Sequence, residues 1–158
     1  MTADSPPRPT MLVARLHGPR DVRVADEPLP LPHPGEDLVR VTAVGLCGSD
    51  LHWYEDGRIG ATGLTDPLVL GHEAAGVIES GPRRGIRVAI EPAAPCGVCA
   101  TCRGGRGWLC PDGRFAGHAP VDGALRERMA WPAELLVPLP DAVRDVDAAL
   151  LEPLGVAL

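Results

Sequence analysis

Residues 35–52 read GEDLVRVTAVGLCGSDLH, and the rest of the chain is read outward from them. The run Leu38–Leu46 is rich in β-branched residues and follows the proline-rich stretch EPLPLPHPGED (27–37), so it reads as a strand entered through a turn. Its end delivers Cys47, then Ser49, Asp50 and His52. Met11–Leu16 and Val22–Val24 read as strands on either side of HGPRD (17–21). Leu68–Leu70, Gly76–Glu79, Arg87–Glu91, Leu125–Trp131 and Leu135–Val137 continue the pattern. Short strands with frequent turn signals predict a mainly β domain, a barrel or a sandwich. One segment reads as helical: Asp141 is placed to cap a stretch through Val143, Val146, Ala149 and Leu150. Residues 1–10 read as a disordered leader, and LEPLGVAL (151–158) as a helix cut in mid-element.

Composition narrows the function classes. The chain has 158 residues, enough for one domain with a real core, and 19 Gly and 18 Pro punctuate its short strands. A net charge of −6 with no basic stripe argues against nucleic acid. No 18-residue apolar run is present to cross a membrane. Arg supplies all 15 positive charges; Lys, Asn and Gln are absent, which has no bearing on mechanism. Arg83, Arg84 and Arg87, like Arg103 and Arg106, read as solvated loop charges. MTADSPPRPT (1–10) does not read as a signal peptide, and five cysteines would leave one unpaired. Metal or catalytic use in a reducing cytoplasm is expected instead.

Four of those cysteines, Cys96, Cys99, Cys102 and Cys110, form a C-x2-C-x2-C-x7-C pattern in PCGVCATCRGGRGWLC (95–110). Four thiolates this close can surround one tetrahedral Zn²⁺ with no open position, a structural site. Gly97, Gly104, Gly105 and Gly107 are expected to let the backbone wrap where Cβ atoms would obstruct it. Cysteines three apart pair poorly as disulfides. An iron–sulfur cluster of ferredoxin spacing wants three residues before its last cysteine, and here there are seven, so zinc is favoured. The fifth cysteine, Cys47, joins His72 and Glu73 of LGHEAAG (70–76) in a second set of thiolate, imidazole and carboxylate. Such a mixed set suits a catalytic zinc, which keeps a position open. Each residue alone has an ordinary explanation in the core. Gly45, Gly48, Gly71 and Gly76 lift the set, because they would place its members on tight turns.

GEDLVRVTAVGLCGSDLH, LGHEAAGVI (70–78) and RVAIEPAAPCGVCATC (87–102) resemble the catalytic domain of the zinc-dependent medium-chain alcohol dehydrogenases. LHWYEDGRIG (51–60), LCPDGRFAGHAPVDGALRER (109–128) and LLEPLGVAL (150–158) are similar to the polyol branch, the sorbitol (L-iditol) and xylitol dehydrogenases. The similarity runs from about Met11 to Leu158. It implies a GroES-like, partly open β-barrel over residues 11–152, with few short helices and a zinc lobe at about 94–112. It implies two Zn²⁺ ions, one structural and one catalytic, the latter held by Cys47, His72 and Glu73 with a water completing the site. Glu152 would approach that zinc directly or through the water. Asp50 would accept the other imidazole N–H of His72. Ser49 and His52 would form a proton relay, and Trp53, Tyr54 and Arg58 would line the substrate pocket.

The implied reaction oxidises a secondary alcohol of a sugar alcohol to a ketose, by zinc-assisted alkoxide formation and hydride transfer to NAD(P). Relatives are about twice this length and continue into a Rossmann domain. Here no G-x-G-x-x-G follows a strand, so no cofactor-binding residue is assigned, and residues 141–158 would begin the helix leading to a missing cofactor domain. The expected partners are a small-molecule polyol and a separate cofactor-domain chain or an oligomer, with no nucleic acid and no membrane. Leu150, Leu151, Leu154 and Val156 are expected to be exposed and to favour association. A reading from another class is a zinc-binding remnant or interaction module without catalysis of its own. GVIESGPRRGIRVAI (76–90) is shorter than the corresponding family stretch, with Ile86 where Asp is usual, which leaves one hairpin of the barrel open.

Overall fold

β1 (Thr10–Gly18) and β2 (Asp21–Pro28) form an antiparallel hairpin around HGPRD in the computed structural model, which describes residues 9–158. β3 (Glu36–Gly45) runs into helix α1 (Gly48–Asp56), and a small ribbon, β4 (Arg58–Ile59) with β5 (Thr62–Gly63), follows. β6 (Leu68–Val69), β7 (Glu73–Ile78), β8 (Arg87–Ile90) and β9 (Ala93–Ala94) lead into the cysteine loop, which contains helix α2 (Ala100–Arg103). β10 (Arg114–Phe115) closes that loop against β9; β11 (Arg128–Pro132), β12 (Leu136–Pro138), α3 (Asp145–Ala148) and α4 (Leu151–Ala157) complete the order.

Two antiparallel sheets carry the domain, one ordered β11-β3-β7-β8-β12 and the other β2-β1-β6. They are stitched by the extended stretch before β11. Ala14 N–H donates to the Leu125 carbonyl, Glu127 N–H to that of Leu12, and Val41 N–H to that of Glu127. One segment thus serves both sheets and curls them into a partly open barrel, the GroES-like architecture expected. Val39, Ile78, Val88, Met129, Trp131 and Leu136 fill its interior, and Trp131 Nε1 donates to the Glu91 carbonyl at 2.7 Å. Aromatics are scarce, so aliphatic residues, with Met129 and Trp131, supply most of this burial.

Several expectations are corrected. Pro9 and Thr10 are not leader: the Pro9 carbonyl accepts from Leu29 N–H and Thr10 pairs with Pro28. Residues 1–8 lie outside the described residues. α1 was hidden in the sequence because its apolar spacing is weak; it holds its place through Asp50 and the buried Trp53. The helix expected from Asp141 begins only after Arg144, which N-caps α3, and a turn at Ala149–Leu150 separates α3 from α4. The shortened hairpin between β7 and β8 is intact. Ile78 N–H donates to Ile86 and Gly85 N–H returns to Ile78, so fewer loop residues still close the pair.

Two arginines read as solvated are structural. Arg83 reaches across the sheet to Asp37 and to the carbonyls of Ala133 and Leu136. Arg87 Nε donates to Asp145 Oδ1 at 2.8 Å, docking α3 on β8. The Thr42 hydroxyl and then Arg87 hold the Asp145 carboxyl below its ordinary value. A group depressed in the folded state adds stability above its unfolded value, about 3.9, and loses it as pH falls through the folded one. Asp145→Asn is therefore expected to cost about 1–3 kcal/mol near neutrality. Its deficit against the wild type should shrink in melting curves taken at progressively acid pH.

Candidate functional site

The register of β3 against β7 pairs Gly45 with Glu73. Two residues past Gly45, Cys47 N-caps α1; one residue before Glu73, His72 leaves the turn at Gly71. Strand pairing therefore brings together residues separated in sequence, and ligand atoms of Cys47, His72 and Glu73 lie within 4.8 Å of one another. Gly45 is required by this approach, because an added Cβ would overlap Glu73 Oε2. Gly71 has φ +88°, the left-handed turn that aims His72 inward. Gly48 opens α1 and Gly76 lies inside β7, so the expectation that all four glycines form tight turns holds for Gly71 alone.

His72 is 7% exposed and Glu73 6%. No hydrogen bond from a described residue reaches the Glu73 carboxylate. A carboxylate without donors, set beside an imidazole and a thiol, is placed to meet a cation. Tetrahedral zinc holds nitrogen, oxygen and sulfur ligands roughly 3.3–3.8 Å apart. The three side chains fit such an ion and leave a fourth position for another ligand.

Asp50 has a role beyond the one expected. Its Oδ2 accepts from Cys47 N–H and its Oδ1 from Gly71 N–H, both at 3.0 Å, and it is 2% exposed. His72 Nδ1 lies 3.7 Å from Oδ2, beyond hydrogen-bond distance. Through those two amides Asp50 ties the Cys47 and Gly71 turns together, with the His72 imidazole beside it.

Ser49 and His52 lie three apart on α1, Ser49 half-buried and His52 exposed, and no hydrogen bond joins them among the described residues. Glu152, on α4, is not in the 4.8 Å cluster. It lines a hollow of about 150 Å³ with Glu91, Pro92 and Ala74, near enough to feel the charges of His72 and Glu73; burial raises its carboxyl above the ordinary value. Trp53 is not a pocket wall: it is 1% exposed and packs with Leu16, Leu68 and Leu70. Its large apolar ring is worth more in the core than at a wet surface. Tyr54 is exposed, and its carbonyl accepts from Arg20 N–H; Arg58 is exposed on β4.

The sequence reading missed Phe115. Its ring lies 5.3 Å from the His72 ring, tilted by 59°. It is the one phenylalanine of the chain, in RFAGH just past the cysteine loop, and tertiary pairing, the β9–β10 ladder included, carries it to His72.

In the lobe, the four sulfurs of Cys96, Cys99, Cys102 and Cys110 lie within 4.8 Å of one another, with separations of 3.4, 3.8 and 3.9 Å between partners. A zinc–sulfur bond of about 2.3 Å gives a tetrahedral edge of about 3.8 Å, so the sulfurs fit one ion. All five cysteines of the chain are free thiols. The N–H groups of Cys96, Cys99 and Cys102 each donate to a cysteine sulfur at 3.4 Å. The Cys102 N–H chiefly draws the Cys99 thiol down to about 6, toward the thiolate that a metal needs. Desolvation and neighbouring sulfurs push Cys102 up. Gly97 and Gly105 adopt positive φ, yet an added Cβ there would meet nothing within 4 Å. Handedness of the turn, not obstruction, requires them. Among the described residues, no helix is long and apolar enough to cross a membrane.

Residues 33–141 match the alcohol dehydrogenase GroES-like domain family. The chain is 40% identical over 154 residues to a sorbitol dehydrogenase of Bacillus subtilis (strain 168), covering 94% of this chain and 44% of that protein. It is 42% identical over 150 residues to a probable D-xylulose reductase A of Neosartorya fischeri, covering 90% and 42%. The chain thus spans a little under half the length of these relatives. Among solved structures, L-idonate 5-dehydrogenase of Escherichia coli superposes with a TM-score of 0.81 at 32% identity, covering 94% of this chain and 45% of that one. For 2R,3R-butanediol dehydrogenase of Bacillus subtilis the TM-score is 0.77 at 31% identity, covering 93% and 45%.

Proposed function

Because the chain belongs to the alcohol dehydrogenase GroES-like domain family, we propose that it is the catalytic-domain portion of a zinc-dependent, NAD(P)-linked polyol dehydrogenase. The observation that carries this reading is the convergence of the Cys47, His72 and Glu73 side chains within 4.8 Å of one another, a mixed donor set with room for one more ligand. The relatives' names, sorbitol dehydrogenase and D-xylulose reductase, support a polyol and its ketose as the substrate pair.

When bound, zinc supplies Lewis acidity that makes an alcohol hydroxyl easier to deprotonate. The chain's residues do the rest. Asp50 locks the Cys47 and Gly71 turns, so that the three ligands are set before substrate arrives. Phe115 packs on one side of His72, restricting its ring and the water around it. Ser49 takes the hydroxyl proton and His52, at the solvent side of α1, hands it on. Glu152, in the hollow beside Ala74 and Glu91, would approach the ion directly or through its water. Cys96, Cys99, Cys102 and Cys110 hold a structural zinc away from this chemistry. The hydride needs an acceptor fixed within reach, which places the dinucleotide on a cofactor domain.

The test has two readings on one sample: zinc per chain by native mass spectrometry, and NAD(P) reduction with sorbitol or xylitol after mixing with a Rossmann cofactor domain from a relative. Two zincs and polyol-dependent reduction are expected. Two zincs with no reduction of either nucleotide by any polyol would leave a zinc-binding module and overturn the enzymatic reading.

A further inference from the structure

Asp56 occupies the last turn of α1, where a carboxylate opposes the helix dipole and no basic residue balances it. It makes no hydrogen bond to another described residue. What it does meet is His52, one turn back: Asp56 Oδ2 lies 3.5 Å from His52 Nδ1, with side chains 58% and 66% exposed. The two border an open hollow of about 310 Å³ with Arg58, Ile59 and Gly60; Arg58, from β4 packed against the helix, is the other charged group lining it. Ser49, His52 and Asp56 follow one another at spacings of three and four, and so share one side of α1. At 1.5 Å per residue they span about 10 Å, from the Cys47 end of the helix to its solvent end. A destabilising charge placed beside the outermost member of a proton path is explained by that member's needs.

We propose that Asp56 is a positioning residue for His52, holding the imidazole with Nδ1–H toward its carboxylate and leaving Nε2 free to accept a proton. This rests on the polyol dehydrogenase reading for its use, though not for its geometry. A neutral imidazole has one donor and one acceptor nitrogen, and a carboxylate beside Nδ1 selects the tautomer with the proton there. The substrate hydroxyl proton then passes to Ser49 Oγ as the Ser49 proton passes to His52 Nε2. The imidazolium returns one proton to bulk water, so serine and imidazole end as they began.

The tautomer is read from two-bond proton–nitrogen correlation spectra of the imidazoles at alkaline pH, with His52→Gln identifying the signal. Asp56→Asn should lower the Nδ1–H share of His52 about two- to fivefold, the range an exposed contact of this kind supports. An unchanged ratio overturns the proposal. With the cofactor domain present, Asp56→Asn should lower kcat and displace the acid limb of the pH profile while KM stays, and Asp56→Glu should recover part of the loss. A kcat and pH profile identical to the wild type would also overturn it. Should no polyol be oxidised while the tautomer ratio still responds, the pairing stands and the enzymatic reading falls.

Discussion

His72→Ala should reduce the zinc content from two ions per chain to one, and polyol oxidation in the presence of a cofactor domain should fall at least about a thousandfold, since the ion supplies several kcal/mol of charge stabilisation. The substitution leaves only Cys47 and Glu73 of the cluster, too few to retain zinc against water. Gly45→Ala is the informative companion because it removes no ligand. Its Cβ would overlap Glu73 Oε2, so the carboxylate must move. Zinc binding at this site should weaken by about 10–100-fold, as when a ligand's orienting neighbour is lost, while the lobe keeps its ion. Native mass spectrometry across a chelator titration separates the two sites. If His72→Ala retained both ions, the Cys47 cluster would not be a zinc site.

Cys99→Ser should remove the other ion and melt the lobe locally. The segment between β9 and β10 has little apolar burial of its own: Val98, Trp108 and Leu109 are exposed, and its order comes from the sulfur cluster. Structural zinc supplies folding free energy directly, on the order of 10 kcal/mol in small zinc domains. Amide exchange should rise by orders of magnitude at Cys96, Cys102 and Gly104–Cys110, while β3 and β7 stay protected. The Cys47 site should keep its zinc, since the β9–β10 ladder closes the lobe on itself and none of the four cysteines belongs to the Cys47 cluster. Loss of both ions would show that Phe115, seated on His72 at the end of that ladder, couples the sites.

These expectations differ in how far residues alone could support them. The four-cysteine lobe was legible because its ligands are local; spacing within one loop dictates which sulfurs can meet. Cys47, His72 and Glu73 were legible as a donor set, and the family resemblance made them one site, whereas their convergence depends on Gly45 facing Glu73 across β3–β7. Asp50 was read as an imidazole partner because chemistry permits it. The fold also gives its oxygens to the Cys47 and Gly71 amides, a choice made by where two turns meet. Trp53 was read as a wall because aromatics line pockets, yet the hydrophobic effect draws it among Leu16, Leu68 and Leu70. Arg83 and Arg87 looked like loop charges because their acceptors lie dozens of residues away.

By itself the sequence determined the strand-rich class, the two candidate metal-ligand sets and the family, all of which rest on local pattern or on motifs in order. Tertiary structure alone decided that the sheets curl through residues 124–127, that Phe115 packs on His72, and that Asp50 serves the backbone. The division follows from range. Turn chemistry, ligand spacing and β-propensity act over a few residues and are written along the chain. Strand register and side-chain packing join residues far apart in sequence, and which of them meet is settled only when the whole core is buried at once.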